Sequence, residues 1–320
     1  MENTEKTDIK AIIALLSAMI IWATSFVVLK ATFNIFGPMF VIWGRLFVGS
    51  LIFLFVIKRL WKKCSYKKGD YRLLLLIALF EPCLYFIFES IAITKTAASQ
   101  AGMITSTLPI LVAIAAFFIL KEKTTMLTWI GFFVAAAGVV ILSIYSEVTV
   151  SAPEPILGNF LEFCAMICAT GYTILLKRLS SRYDPFFLTA VLCFVGSIFF
   201  LPLALIETGG FLIHIKIINE WIGISPLSIT EFGGFAIESA HLAILGIVYL
   251  GAVVTIGGYG LFSVGVSRIK ASTAAAFINL IPVFTIFFSW IFLGENMNII
   301  QYCGCGLIFV GVYLSQKNRT

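Results

Sequence analysis

The sequence predicts an all-α integral membrane protein whose ten transmembrane helices form two five-helix repeats of inverted topology. Three observations support this fold class: an apolar composition, ten apolar runs of spanning length, and a residue pattern that occurs twice. Of the 320 residues, 60% are hydrophobic and only 12% are charged, about half the charged share of an ordinary soluble domain. The composition therefore excludes a soluble enzyme, a disordered chain and a nucleic-acid-binding protein.

Ten apolar runs follow one another along the chain, and each is long enough to cross the hydrocarbon core, which takes about 20 helical residues. These runs are 11–30, 38–57, 72–93, 98–120, 126–145, 156–176, 186–206, 240–264, 271–293 and 299–315. No small-residue cleavage site precedes Lys30, so the first run is a membrane helix and not a signal peptide. The stretch 207–239, with the apolar run 211–218, is too interrupted to span and is expected to lie along the outer interface.

The basic residues predict the orientation. Alternate connectors of a ten-helix chain lie on the same side, and one side then carries 18 of the 22 Lys and Arg residues while the other carries 3. Cytoplasmic loops collect Lys and Arg, so both termini are expected in the cytoplasm and the protein in the inner or plasma membrane. The net charge of +6 is thereby explained without a nucleic-acid partner.

A residue pattern of the first half recurs in the second half. Ala98-Ser99-Gln100-Ala101, Pro109, Glu122, Gly131 and Gly138 are matched 173 positions later by Ala271-Ser272-Thr273-Ala274, Pro282, Glu295, Gly304 and Gly311. Lys30 and Gly49-Ser50 are matched 147 positions later by Lys177 and Gly196-Ser197. Two repeats are therefore expected, 1–150 with helices 1–5 and 151–320 with helices 6–10, the second containing the extended outer connector at 207–239. Since five is odd, the second repeat enters the membrane from the opposite side, as in transporters that hold one site between two inverted halves.

The ten helices, the duplicated small-residue, Pro, Leu-x-Glu and Gly pattern, and Arg45 in the second helix resemble the EamA-type branch of the drug/metabolite transporter superfamily. The resemblance extends over essentially the whole chain. It implies cytoplasmic termini, a central cavity lined by helices 1–4 and 6–9, peripheral helices 5 and 10, and transport, often export, of small metabolites. Members of that family carry amino acids, nucleotide sugars, amines or drugs, so the resemblance does not name the cargo.

Four charged residues lie inside the predicted helices, where a charge costs a few kcal/mol and therefore indicates a function. Glu81 falls near the middle of helix 3, while Arg45, Glu89 and Glu162 fall at one common depth nearer the outer side. Three carboxyls against one guanidinium suit proton coupling, a cationic cargo, or both. The alternative for Glu81 is a permanently protonated group that is hydrogen-bonded between helices. Arg45 is expected to pair with Glu89 or Glu162, and otherwise to bind a substrate carboxylate.

Polar and aromatic side chains inside the helices are further candidates for the cavity lining. They are Trp22, Trp43, Tyr85, Thr105, Ser106, Tyr172, Tyr259 and Asn279. The alternative is helix packing for the aromatic residues, and hydrogen bonding to the carbonyls freed by the nearby prolines for Thr105, Ser106 and Asn279. Pro109 and Pro282 fall in the middle of helices 4 and 9, where each removes an intrahelical hydrogen bond and allows a bend. We expect these two prolines to serve as hinges.

The sequence thus predicts a secondary transporter that works by alternating access on a small metabolite, with an amino acid or an amine as the expected cargo. No Gly-x-x-x-x-Gly-Lys-Ser/Thr motif is present, so the energy is expected from an ion gradient, exchange or substrate concentration. No cofactor or metal is expected. The expected partners are a small-molecule substrate, protons and the lipid bilayer, and the protein is expected to be a monomer or a homodimer.

Two kinds of alternative remain at the level of the sequence. One is a polyspecific efflux protein for drugs and toxic compounds. The other, from a different class, is a membrane-embedded enzyme or a non-transporting scaffold. The enzyme is disfavoured because no Gly-x-Ser-x-Gly elbow occurs and no Asp falls inside a predicted helix.

Overall fold

The computed structural model describes residues 9–120, 126–207, 230–232, 235–237, 240–269 and 271–316. Within these residues, ten long helices account for most of the chain. The first five are α1 (Ile9–Phe33), α2 (Pro38–Trp61), α3 (Asp70–Ala78, Leu79–Leu84 and Tyr85–Lys95), α4 (Ala98–Ile104 and Leu108–Leu120) and α5 (Met126–Ile144). The last five are α6 (Pro155–Leu179), α7 (Pro185–Glu207), α8 (Ala240–Tyr249, Leu250–Tyr259 and Gly260–Arg268), α9 (Ala271–Ala276 and Leu280–Leu293) and α10 (Ile299–Gln316).

The predicted all-α fold of ten transmembrane helices is confirmed. Eight of the described helices are long and apolar enough to cross a membrane, and the remaining two, α5 and α10, contain shorter apolar helices. Two short antiparallel strands, β1 (Thr230–Phe232) and β2 (Phe235–Ile237), lie between α7 and α8. The apolar run 211–218, expected along the interface, lies outside the described residues.

Because consecutive helices run in opposite directions, the connectors lie at two faces of the bundle. We call the face with the α2–α3, α6–α7 and α8–α9 connectors the terminal face, since α1 begins and α10 ends there. The α1–α2, α3–α4, α5–α6 and α9–α10 connectors lie at the other face, the distal face. The Lys-rich connectors of the sequence are those of the terminal face.

The two halves depart from α-helical geometry at matching places. Helix α3 is interrupted at Glu81, helix α8 contains a wider π-helical segment at Leu250–Tyr259, and α4 and α9 each contain a 3₁₀ turn. The α3–α4 and α8–α9 turns have almost the same backbone geometry, with φ −124° and ψ 169° at Thr96 and φ −123° and ψ 172° at Ile269. Ile269 follows Thr96 by 173 positions, so the offset read from the sequence holds in three dimensions.

Several sets of helix contacts organise the bundle. Helices α3 and α4 pack on α6, and helices α8 and α9 pack on α1. Helix α4 also packs on α9, helix α2 packs on α7, and α5 packs on α10 at the periphery. The first two sets form two helix groups, α3/α4/α6 and α1/α8/α9, and each group contains helices from both halves of the chain.

The repeated glycines lie where α5 crosses α10. A methyl group added to Gly138 would lie 2.7 Å from the carbonyl oxygen of Gly304, and one added to Gly311 would lie 2.5 Å from that of Gly131. Both distances are shorter than a carbon atom tolerates, so only glycine permits this approach. The glycine faces are therefore used within the chain.

Candidate functional site

A cavity lies in the middle of the bundle, between the two helix groups. Its lining comes from α1, α2, α3, α4, α6, α8 and α9, and thus from both halves. Its volume is about 50 Å³, room for only about four water molecules. Known small-molecule sites occupy several hundred Å³, so the cavity in this structure is too small to hold a metabolite.

Glu81 enters this cavity at a break in α3. Its backbone is extended, with φ −147° and ψ 119°, and the next residue, Pro82, has no N–H for a helical hydrogen bond. Glu81, Tyr85 and Glu89 are spaced four residues apart, which would place them along one stripe of an uninterrupted helix. The helix is interrupted at Glu81, yet all three side chains line the cavity.

The other two carboxyls are those of Glu89, further along α3, and Glu162, on the neighbouring helix α6. Tyr85 donates a hydrogen bond from its hydroxyl to Oε1 of Glu89 at 2.7 Å, while Oε2 of Glu89 has no hydrogen-bond partner among the described residues. Glu162 on α6 is fully buried, and neither of its carboxyl oxygens has a described partner. It does not line the cavity itself. Buried polar atoms are nearly always hydrogen-bonded, so these three carboxyl oxygens are exceptional among the described residues.

Arg45 has a different environment from the expected one. Its Nε donates to Oγ1 of Thr255 at 3.1 Å, and its guanidinium carbon lies 4.6 Å from the centre of the Phe86 ring. No described carboxylate oxygen lies within 4.0 Å of its nitrogens. The expected ion pair with Glu89 or Glu162 is therefore absent, and the guanidinium borders the cavity while only 2% exposed.

Aromatic rings form one wall of the cavity around Tyr259. Its ring centroid lies 5.1 Å from that of Trp22 and 6.2 Å from that of Tyr172. Gly258 makes this wall possible, because a methyl group there would lie 2.7 Å from Nε1 of Trp22. That indole nitrogen is buried and has no described acceptor, so it adds a donor to the lining.

The structure brings most of the predicted lining residues together and leaves four outside. Arg45, Glu81, Glu89, Trp22, Tyr85, Thr105, Tyr172 and Tyr259 line the cavity. Glu162, Trp43, Ser106 and Asn279 do not. Trp43 is stacked on Phe47, and Ser106 is fully buried without a described partner for its hydroxyl.

Sequence reasoning missed other lining residues. They include Ser25, Phe26, Phe86, Met166, Thr173 and Phe262. The phenylalanines carried no signal of their own in a chain with 31 of them. Phe86 follows Pro82 by four residues and Glu81 by five, and this proximity is the one local feature that could have pointed to it.

The two predicted hinge prolines occupy matching places. Each follows a 3₁₀ turn, Thr105–Thr107 before Pro109 and Phe277–Asn279 before Pro282. The turns are tighter than the helices on either side of them. Their role in motion stays a prediction.

The sequence profile of the EamA-like transporter family matches residues 9–144 and 156–316. An uncharacterized transporter of Bacillus subtilis, YetK, is 25% identical over 97% of this chain and 88% of its own length. The WAT1-related protein At3g02690 of Arabidopsis thaliana, described as chloroplastic, is 23% identical over 94% of this chain and 68% of its own length.

A solved crystal structure has the same fold, with a TM-score of 0.59 at 16% identity, over 97% of this chain and 99% of that one. The fold, the central cavity and the family match agree with one another. Because the family profile matches both halves of the chain, the chain belongs to the EamA-like transporter family and is a multi-pass membrane transporter.

Proposed function

We propose that this chain is a secondary transporter that moves a small zwitterionic or amine metabolite, such as an amino acid, by alternating access. One observation carries the proposal: Arg45 borders the cavity without an ion pair, and carboxyls border the same cavity. A buried charge is normally paired, so an unpaired guanidinium in a cavity calls for an anionic group from outside the chain.

The cavity offers a complementary group for each part of such a cargo. The guanidinium of Arg45 suits a carboxylate, which it can bind through two parallel hydrogen bonds. The carboxyls of Glu81 and Glu89 suit an ammonium group. The rings of Trp22 and Tyr259 suit an apolar or aromatic body, and their faces also attract a cation.

Proton coupling is part of the proposal. Glu81 is 4% exposed and borders the cavity at the break in α3. A carboxyl in this position gains and loses water as the cavity widens and contracts, so it can take up a proton on one side and release it on the other. The family resemblance favours export as the direction.

Counterflow in liposomes tests the proposed function. Purified protein is reconstituted with an unlabelled amino acid or amine inside, and uptake of the labelled compound is followed across a panel of both classes. Saturable, compound-specific counterflow is expected. A membrane-embedded enzyme or a scaffold would give none, and a polyspecific efflux protein would accept unrelated hydrophobic drugs equally well.

The orientation is tested by single cysteines in a background without the seven native ones. The proposal places the terminal face, with Lys67, in the cytoplasm and the distal face, with Glu154, outside. A membrane-impermeant maleimide should therefore label Glu154→Cys in intact cells and Lys67→Cys only after the cells are opened. Labelling of both positions from the same side would contradict the ten-helix inverted topology.

A further inference from the structure

Lys30 and Lys177 make matching contacts at opposite faces of the bundle. Nζ of Lys30 donates to the carbonyl oxygens of Ile93 at 2.5 Å, Thr96 at 2.6 Å and also Ser151. An ammonium group has three N–H donors, so all three are used. Lys30 is 6% exposed, and its acceptors lie at the distal face, where α3 ends and where the α5–α6 connector passes.

Lys177 repeats this arrangement at the terminal face. Its Nζ donates to the carbonyl oxygens of Val266 at 2.9 Å and Ile269 at 2.7 Å, where α8 ends. Lys177 follows Lys30 by 147 positions, and Val266 and Ile269 follow Ile93 and Thr96 by 173, so donors and acceptors are both related by the repeat. Unlike Lys30, Lys177 is partly exposed.

The last carbonyls of a helix have no partner within the helix and carry partial negative charge. A lysine is therefore a suitable partner for them, but most helix ends use water or a residue of their own chain segment. Here each lysine lies in a different helix group from the helix end that it contacts. Lys30 lies on α1 and holds the end of α3, while Lys177 lies on α6 and holds the end of α8.

Both lysines thus join the same two helix groups, α1/α8/α9 and α3/α4/α6, and the cavity lies between these groups. Opening the distal face requires α1 to move away from the α3–α4 turn, which breaks the Lys30 contacts. Opening the terminal face requires α6 to move away from the α8–α9 turn, which breaks the Lys177 contacts. The water that enters an opened face then solvates the freed ammonium and carbonyls.

The repeated Leu-x-Glu motif supplies a second connection at the distal face. The carboxylate of Glu295, next to α9, accepts hydrogen bonds from the backbone N–H groups of Ala98 at 2.9 Å and Ser99 at 2.8 Å. These are the first residues of α4 in the opposite helix group. The matching residue of the first half, Glu122, lies outside the described residues.

We propose that Lys30 and Lys177 are a pair of opposed locks: Lys30 holds the cavity closed at the distal face, and Lys177 holds it closed at the terminal face. Alternating access then consists of releasing one lock while the other remains formed. The inference rests on the alternating access proposed above, and it assigns the gates to two residues that do not contact the cargo.

The test measures from which side the cavity is accessible. Ala169 borders the cavity on α6, and Ala169→Cys in a background without native cysteines is the reporter. A membrane-impermeant thiol reagent is applied to intact cells and to inside-out vesicles, and the ratio of outside to inside labelling is determined. Only protein that is monodisperse after extraction is counted, so poor folding lowers the yield without changing the ratio.

Lys30→Met should raise the outside-to-inside ratio by about tenfold, the effect of losing one charge-assisted hydrogen bond. Lys177→Met should lower it, by about threefold because this lock has fewer acceptors and more water. The double variant should return towards the wild-type ratio. Lys58→Met, the same change at an exposed lysine of α2, should leave the ratio unchanged.

Shifts in the same direction, or unchanged ratios in both single variants, would overturn the locks. Lys30→Gln keeps two N–H donors on a shorter, uncharged side chain. It replaces Lys30→Met where the latter is not recovered folded, and it should give a smaller rise. The labelling needs no cargo. If the two single variants shift the labelling ratio in opposite directions but the protein shows no counterflow, the transport proposal alone is overturned. If the protein shows counterflow but neither variant shifts the labelling ratio, the locks alone are overturned.

Discussion

The two halves of the chain agree in their frame and differ in their charges. The frame includes the lysine contacts, the geometry of the α3–α4 and α8–α9 turns, the prolines after 3₁₀ turns and the crossing glycines, and each of these occurs in both halves. The charged residues of the cavity region occur once. By the same offsets, the pairs are Arg45 with Leu192, Glu81 with Val254, Glu89 with Phe262, and Glu162 with Leu15.

This difference separates two tasks. A motion that opens each face in turn needs equivalent parts at both faces, so the residues that hold and bend the frame must be duplicated. A single cargo binds in one orientation and needs a carboxyl or a guanidinium in one place only. The duplicated residues are therefore expected to govern the rate of exchange, and the unduplicated ones the binding of cargo and protons.

The largest effect is expected for Arg45→Leu, which gives position 45 the same residue type as its counterpart in the second half, Leu192. Arg45→Leu removes the guanidinium that we propose binds the carboxylate, and it should weaken cargo binding by roughly 100-fold, the value of a charge-assisted pair of hydrogen bonds. Arg45→Lys keeps the charge without the planar fork and should retain part of the affinity. Binding is measured by titration of the purified protein.

Arg59→Leu, the same change at an exposed residue of α2, is the matched control. Wild-type affinity in Arg45→Leu would place the carboxylate site elsewhere and would remove the main argument for a zwitterionic cargo.

The second expected effect concerns Glu81, whose counterpart is Val254. Glu81→Gln mimics the protonated carboxyl at nearly the same volume. If Glu81 carries the coupling proton, the variant should bind a zwitterion normally but lose the pH dependence of counterflow. If Glu81 binds the ammonium group of the cargo, the dissociation constant should rise about tenfold. Wild-type binding and a wild-type pH profile would together show a permanently protonated residue with no part in transport.

The smallest effect is expected for the duplicated prolines. Pro109→Ala and Pro282→Ala restore a backbone donor beside each 3₁₀ turn and should stiffen α4 and α9. Each variant should slow counterflow several-fold while binding stays within about threefold of wild type. A change in affinity with unchanged exchange rate would contradict the separation of tasks, and unaffected transport in both variants would leave the prolines a packing role.

The fold was predictable because spanning helices need long apolar runs, and the runs and the repeat are visible in the sequence. The contacts of Arg45 were not predictable in the same way. Depth along the membrane follows from counting residues, which predicted one depth for Arg45 and Glu89, and both residues border the cavity. Whether two side chains at one depth face each other depends on how each helix is rotated about its axis, and neither an apolar run nor a residue count determines that rotation.

The lysine contacts were beyond prediction for a related reason. The sequence matched Lys30 with Lys177, but their acceptors are backbone carbonyls, which leave no trace in the residue pattern. Likewise Pro82 disfavours an uninterrupted helix at Glu81, whereas the residue pattern carries no sign of the extended conformation of Glu81. The aromatic wall was found only in part, since Trp and Tyr are distinctive and Phe is not.

The crossing of α5 and α10 has a consequence for the origin of the chain. Gly138 meets Gly304, which corresponds to Gly131, and Gly131 meets Gly311, which corresponds to Gly138. Such reciprocal pairing is what a two-fold symmetric dimer of identical subunits has at its interface. The contact between α5 and α10 is therefore the one expected if an ancestral five-helix polypeptide inserted into the membrane in both orientations and formed a dimer with itself. A later gene fusion would have joined the two copies in one chain. Each copy could then acquire or lose charged residues independently of the other.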